Sequence, residues 1–152
     1  MPDSSFFLLV GVGMAGSAAF CWILDKLAAK FDAMPEDTSL IFDFIRGLGD
    51  ELKAFGVFNM LLSNGDYLIA YCTNNLSWIT RRAPFGQATL IDTDMVVDFH
   101  EETTPNDIVT VIATRPLTNN EDWHIMNSGE CVMFKLGEKQ HQHQHIPVVV
   151  AE

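Results

Sequence analysis

Basic residues are what this sequence is shortest of. Nine Lys and Arg stand against twenty Asp and Glu, a formal charge of −11. The summed field therefore repels phosphate backbones and anionic lipid headgroups, which argues against nucleic acid and membrane surfaces as partners. Cysteine is scarce too. Cys21, Cys72 and Cys131 form an odd set with neither CxxC nor zinc-site spacing, so a disulfide framework is not expected and a reducing, cytoplasmic location is. A positive leader region is missing, because Asp3 is the only charged side chain before Asp25. No internal repeat and no flexible linker interrupts residues 17–138. Charged residues make up 19% and apolar residues 48%. That is too apolar for a disordered chain, and 152 residues give room for one core.

Residues 4–24 carry no charge, a length close to the roughly 20 apolar residues that cross a bilayer. The small residues Gly11, Gly13, Ala15 and Ser17 even resemble a membrane-helix packing stripe. The second half of this stretch nevertheless continues into an amphipathic pattern. Phe20, Ile23, Leu24, Leu27, Ala28 and Phe31 share one helical face, and Asp25, Lys26 and Lys30 occupy the other. A surface helix capped by Ser17 is expected instead of a membrane span. The first half has a sharper reading. A strand at residues 6–10, the glycine run Gly11-Val12-Gly13-Met14-Ala15-Gly16 and a following helix match the order of a dinucleotide site. Gly11, Gly13 and Gly16 would let the backbone approach a pyrophosphate at a helix N-terminus. A dinucleotide-binding oxidoreductase is therefore the alternative functional reading. It lacks the acid-tipped strand that should follow about 20 residues on, since residues 31–38 are a polar, proline-bearing connection.

A second helix is expected from Asp37 or Thr38 as N-cap, with a stripe at Leu40, Ile41, Phe44, Ile45, Leu48 and Leu52 and Gly56 as the stop. Gly47 and Gly49 should each weaken it by up to about 1 kcal/mol. The period then shortens. Residues 57–63 and 66–72 flank Asn64-Gly65, the pair that best suits a type I′ hairpin turn. Further strands are expected at residues 76–81, 87–91, 95–99, 107–114 and 131–136. The fourth of these (Ile108, Val109, Val111, Ile112) is apolar enough to be central and buried on both faces. The resulting fold class is α+β, with two helices packed on one antiparallel-rich sheet.

Several constellations have two readings. His141, His143 and His145 alternate, which would align three imidazoles along an extended chain. No Cys or carboxylate joins them, so residues 139–152 are read as a solvated low-complexity tail, with no metal assigned. Asp92, Asp94, Asp98, Glu101, Glu102 and Asp107 fall between Arg82 and Arg115 with no Lys or Arg among them. They could draw a cation, but a calcium loop needs a Gly and a terminal Glu, so a charged strand edge is expected. Arg81 and Arg82 could hold a substrate carboxylate in a guanidinium fork, or form local salt bridges at a strand end. Cys21, near a helix start, is the fallback nucleophile. A buried structural role is the plainer expectation for it and for Cys72.

One likeness extends along the chain. It is carried by Ala19-Phe20-Cys21-Trp22-Ile23-Leu24, Gly56-Val57-Phe58-Asn59-Met60-Leu61-Leu62-Ser63-Asn64-Gly65, Ala70-Tyr71-Cys72, Trp78-Ile79-Thr80-Arg81-Arg82-Ala83-Pro84-Phe85-Gly86, Thr104-Pro105-Asn106-Asp107 and Ile112-Ala113-Thr114-Arg115-Pro116-Leu117-Thr118-Asn119-Asn120-Glu121-Asp122-Trp123. From Ala19 to Glu138 the sequence resembles the C-terminal half of stand-alone class II glutamine amidotransferases, of the N-terminal-nucleophile hydrolase superfamily. The resemblance implies a four-layer αββα sandwich and hydrolysis of glutamine or a γ-glutamyl amide to glutamate and ammonia, with no cofactor.

The family's nucleophile is an N-terminal Cys whose own amine is the base. A His-Asn-Gly stretch supplies oxyanion donors, an Arg holds the substrate carboxylate and an Asp in a Thr-Asp-Ser-Glu-like segment holds its amine. None of these maps onto this sequence. Residue 2 is Pro, no Cys precedes Cys21, no His precedes His100, and Met14-Ala15-Gly16-Ser17 stands where the Thr-Asp-Ser-Glu segment would fall. The expectation is an incomplete αββα sandwich: an atypical segment at residues 1–16, a partial amidotransferase domain at residues 17–138 and the tail. Such a truncated form is expected to be non-catalytic by itself and prone to self-association through an open sheet edge. Residues 6–10 are candidates for one vacant strand position.

Overall fold

The computed structural model describes residues 8–9, 14–92, 96–98 and 104–144. Strands β1 (Leu8–Leu9), β2 (Asn59–Ser63), β3 (Leu68–Cys72), β9 (Cys131–Lys135) and β10 (Glu138–His143) form an antiparallel sheet in the order β1-β2-β3-β9-β10. Helices α1 (Met14–Lys30) and α2 (Thr38–Lys53) cover one face of it. A second antiparallel sheet, ordered β7-β4-β8, covers the other. It contains β4 (Ser77–Arg82), β7 (Ile108–Ala113) and β8 (His124–Ile125), while β5 (Gln87–Thr89) and β6 (Val96–Asp98) form a separate ribbon. The chain is α+β, layered helix, sheet, sheet. Among the described residues no helix is long and apolar enough to cross a membrane.

Strand alternation builds the two cores. Ile69 and Tyr71 of β3 and Cys131 and Met133 of β9 face the helices, where they meet Ile23, Leu27, Ile41, Phe42, Ile45 and Leu48. The intervening Ala70, Cys72, Val132 and Phe134 face the second sheet with Leu76, Trp78, Ile112 and Met126. Strands β3 and β9 are therefore the ones buried on both faces. Strand β7, expected in that role, is an edge strand with no fully buried residue, and Val109 is 44% exposed. An apolar run reports that a strand is covered somewhere, not how many neighbours it has.

The helices start and stop close to expectation, with two corrections. Helix α1 begins at Met14, so Ser17 lies in its first turn and does not cap it. Met14 and Ala15 are good helix formers that extend the helix upstream. Asp37 caps α2 by accepting from the Ser39 amide at 2.9 Å. On α2 the buried face includes Phe42, whereas Leu40 is 55% exposed. The cause is β10: the His141 ring lies 5.3 Å from the Phe42 ring, and its Nε2 is 3.0 Å from Thr38 Oγ1. Over residues 139–143 the Gln/His alternation is thus not part of a solvated tail but belongs to the edge strand β10, which anchors the start of α2.

The hairpin around Asn64-Gly65 is present, but the turn is longer than expected. Ser63 pairs with Leu68, leaving residues 64–67 as the loop. Asn64 Oδ1 accepts from the amides of Asp66 at 3.1 Å and Tyr67 at 3.2 Å, and Gly65 takes a φ of 95°. The Asn side chain bonding forward to its own loop replaces the type I′ geometry.

The dinucleotide reading fails on topology. Strand β1 runs antiparallel to β2 (Leu8↔Ser63, Leu9↔Leu62), and α1 leads into α2 instead of a parallel strand. A dinucleotide-binding crossover requires parallel strands around the glycine turn. Gly16 sits in the first turn of α1, and Gly11 and Gly13 lie outside the described residues. Residues 6–10, expected to fill one vacant strand position, contribute Leu8 and Leu9 as β1, which the structure places beside β2; Phe6, Phe7 and Val10 lie outside the described residues.

Gly49 shows why a helix keeps a residue that weakens it. A Cβ there would fall 2.6 Å from the Tyr71 ring, whereas Gly47 has nothing within 4 Å. Tyr71 is fully buried and donates from its hydroxyl to Asp50 Oδ1 at 2.7 Å. The glycine lets α2 approach the sheet closely enough for that bond. The two glycines should therefore respond oppositely to the same substitution. Gly49→Ala is expected to destabilise by about 1–3 kcal/mol through overpacking, and Gly47→Ala to stabilise by up to about 1 kcal/mol through helix propensity. Urea unfolding of both variants checks this.

Candidate functional site

Strand β4 ends in the two arginines singled out from the sequence, and its alternation sends them to opposite faces of the second sheet. Arg81 Nε and Nη2 donate to Glu121 Oε1 and Oε2 at 2.7 and 2.6 Å, with both side chains 18% exposed. Thr118 Oγ1 donates to the same carboxylate at 2.6 Å, and Trp123 Nε1 donates to Thr118 Oγ1 at 2.9 Å. The Arg81 hydrogen bonds hold the Glu121 carboxyl below the usual carboxylate range despite its partial burial. Arg82 forms a second fork with Glu138, donating from Nη2 to Oε2 at 2.6 Å and from Nη1 to Oε1. That pair is more exposed, and its hydrogen bonds lower Glu138 and raise Arg82. Both forks expected to be open to a substrate carboxylate or a local acid are engaged by this chain's own carboxylates, 40 and 56 residues away.

A second polar cluster lies beside the seam between the sheets. Glu130, fully buried, is reached by His124 Nε2 at 2.6 Å, by Gln142 Nε2 at 2.8 Å and by the Asn127 amide at 2.9 Å. The Trp78 ring lies 5.0 Å from the His124 ring and edge-on to Phe134 at 5.1 Å. Trp78 Nε1 is buried with no hydrogen-bond acceptor among the described residues. Donors from β8, from the turn before β9 and from β10, all within 12 residues of Glu130, thus converge on one interior carboxylate and compensate it for lost hydration.

The remaining candidates do not assemble. Cys72 and Cys131 are buried, and burial pushes both thiols up, away from the thiolate a nucleophile needs. Cys72 Sγ lies 3.9 Å from the Met126 carbonyl. Cys21, expected to be a buried thiol near a helix start, is instead exposed and lies beyond the first turn of α1, because the helix begins at Met14. Of the histidines, His141 serves the α2 contact, His143 ends β10 in an exposed position, and His145 lies outside the described residues. Within the acidic stretch Asp92 pairs with Arg115 at 3.2 Å, and Asp107 accepts from the Thr104 amide at 2.9 Å. Asp94, Glu101, Glu102 and the Asp98 side chain lie outside the described residues. Among the described residues no group of three His, Cys, Asp or Glu side chains could hold a metal ion.

Sequence reasoning missed Glu121, Thr118, His124, Glu130 and Gln142. The one local signal was Glu130, an acid placed directly between Gly129 and the apolar run of β9. Chemically, these clusters form a framework. Each carboxylate meets donors from the same chain, and among the described residues no thiol stands beside a base and oxyanion donors.

The family model described as class-II glutamine amidotransferases matches residues 5–149. A curated Escherichia coli (strain K12) protein named "Putative glutamine amidotransferase" is 56% identical over 121 residues, covering 80% of this chain and 48% of the relative. A Haemophilus influenzae protein with the same description is 41% identical over 140 residues, covering 91% of this chain and 47% of its own length. A solved structure from Pseudomonas aeruginosa PA01, titled as a "predicted glutamine amidotransferase", aligns with a TM-score of 0.75 at 42% identity. It covers 89% of this chain and 59% of that one. The chain spans about half the length of the curated relatives it matches.

The Arg81–Glu121 pair carries a pH signature. Because the folded state lowers the Glu121 pKa, its stabilisation is whole above the ordinary glutamate value of 4.5 and is lost as pH falls through the lowered value. Glu121→Gln should cost about 1–3 kcal/mol at neutral pH and flatten the loss of stability on the acid side. Chemical denaturation across an acid pH series measures both.

Proposed function

The chain belongs to the class II glutamine amidotransferases, and on that premise we propose that its residues form the supporting part of a domain that hydrolyses glutamine or a γ-glutamyl amide. The chemistry is attack of a thiolate on the side-chain amide carbon. Donors aimed at the developing oxyanion stabilise the tetrahedral intermediate, ammonia leaves, and water releases glutamate from the thioester. The observation that carries the reading is the family match across residues 5–149.

The share assigned to this chain is scaffold. The double-faced strands β3 and β9, the two helices and the second sheet hold a frame on which reacting groups can be mounted. The reacting groups themselves are not proposed among the described residues. Cys72 and Cys131 are buried with raised thiol pKa values, and Cys21 lies on a helix surface without a base aimed at it among the described residues. The forks of Arg81 and Arg82 serve Glu121 and Glu138 in this reading, so a substrate carboxylate would have to displace one of those. The three unpaired cysteines support a reducing, cytoplasmic setting.

Purified 152-residue chain is expected to release no glutamate from glutamine above a Cys21→Ser, Cys72→Ser, Cys131→Ser control. Turnover by the wild type that the control lacks would mean that an internal thiol has become the nucleophile, and the scaffold reading would fail.

A further inference from the structure

We infer that the free edge of β7 is a self-complementary pairing surface, and that its occupant is β7 of a second copy of this chain. The second sheet is ordered β7-β4-β8, so β7 pairs with β4 on one side. Among the described residues no strand pairs with the other side, and the β9–β10 turn meets β7 only at its start, where Gly137 lies against Ile108 and accepts from Thr110 Oγ1. Edge strands are normally blunted by charge, proline or a bulge. Strand β10, an edge of the first sheet, has these devices: Glu138, Lys139 and a register shift between Lys139 and His141. Strand β7 has none. It reads Ile-Val-Thr-Val-Ile-Ala, holds an unbroken register against β4 from Ile108 to Ala113, and leaves Val109 44% exposed.

Charge complementarity selects the occupant. Asp107 precedes the strand, and Arg115 follows two residues after it. Antiparallel pairing of two copies with Val111 opposite Val111 sets Val109 against Ala113 and Asp107 against Arg115, once at each end. The arrangement is two-fold symmetric, and it keeps the same face of both sheets on the same side. Parallel pairing would place Asp107 against Asp107. Both charges can take part at little cost. Arg115 is 70% exposed in a surface pair with Asp92, worth little where solvent screens it. The Asp107 carboxylate, which already accepts from Thr104, retains lone pairs for a further donor.

Along the inner side of the same strand, a groove of about 340 Å³ lies between Ile108 and Thr110, the β2–β3 loop at Asp66 and Tyr67, and the β9–β10 turn at Leu136 and Gly137. It leaves room beside the edge for inward-pointing side chains of an added strand. Pairing would join two three-stranded sheets into one continuous sheet of six.

Sedimentation equilibrium of the purified chain tests the assignment. The wild type should show a concentration-dependent monomer–dimer equilibrium. Val111→Lys, which sets like charges at the symmetry axis, should weaken it at least about tenfold with an unchanged circular dichroism spectrum. Arg115→Glu and Asp107→Lys should each weaken it alone, whereas their equimolar mixture should recover dimer, because both ends then carry opposite charges. The mixture also decides the matter if Val111→Lys does not fold. A wild type that stays monomeric to millimolar concentration would overturn the inference. So would a dimer that tolerates Val111→Lys, or variants whose mixture associates no better than either alone.

Discussion

Two adjacent strands covered on both faces organise this molecule. Alternate residues of β3 and β9 supply Ile69, Tyr71, Cys131 and Met133 to the helical side and Ala70, Cys72, Val132 and Phe134 to the second sheet. Each layer is positioned against this pair, so the two cores are the two sides of one ribbon. At roughly 25 cal/mol per Å² of apolar surface removed from water, burying both faces of two five-residue strands is a large share of what a domain this size can gather. Contacts on either side tolerate little change in volume, and Gly49, where a Cβ would run into the Tyr71 ring, is one such place on α2.

Polar groups then fix how the layers sit on one another. Thr80 and Thr110 share a hydrogen bond at 2.6 Å within the second sheet, and Thr110 also donates to the Gly137 carbonyl at 2.7 Å. Gly137, with a φ of 77°, lies so close to β7 that a Cβ there would overlap the Ile108 carbonyl oxygen. Arg82 and Glu138 close the same corner, and Glu130 gathers His124, Gln142 and Asn127 a short way off. The β9–β10 turn is thus tied to the far sheet by backbone as well as side chains. These bonds specify a relative placement that apolar contact, which has little direction, would leave looser.

The same architecture explains why family membership and local chemistry point to different things. The match to amidotransferase relatives runs over most of the chain, and so over the helices, strands and turns that define the frame. The reacting groups of an amide hydrolase are few and must converge within hydrogen-bond distance of one carbonyl. A frame can be shared over most of a chain while carrying none of them, and fold alone does not confer the reaction. Here the fully buried acid, Glu130, and the arginine forks are consumed by structural pairing, and two of the three thiols are enclosed.

Local pattern sufficed for much of the fold. The helices, the Asp37 cap, the hairpin and most strands were legible because helical and strand periods, capping side chains and turn residues act over a few positions. The likeness to class II glutamine amidotransferases was legible as well, from runs such as Trp78-Ile79-Thr80-Arg81-Arg82-Ala83-Pro84-Phe85-Gly86. Neighbour relations decided the rest. That β3 and β9 are central and β7 lies at an edge, that Phe42 is buried and Leu40 is not, that β10 is a strand, and that Arg81 meets Glu121 all depend on which segments come to lie side by side. The sequence by itself determined most of the elements and the family. Tertiary structure decided the partners, because burial and charge pairing are set by spatial distances between residues that the chain can hold far apart, as it does Arg81 and Glu121, 40 positions from one another.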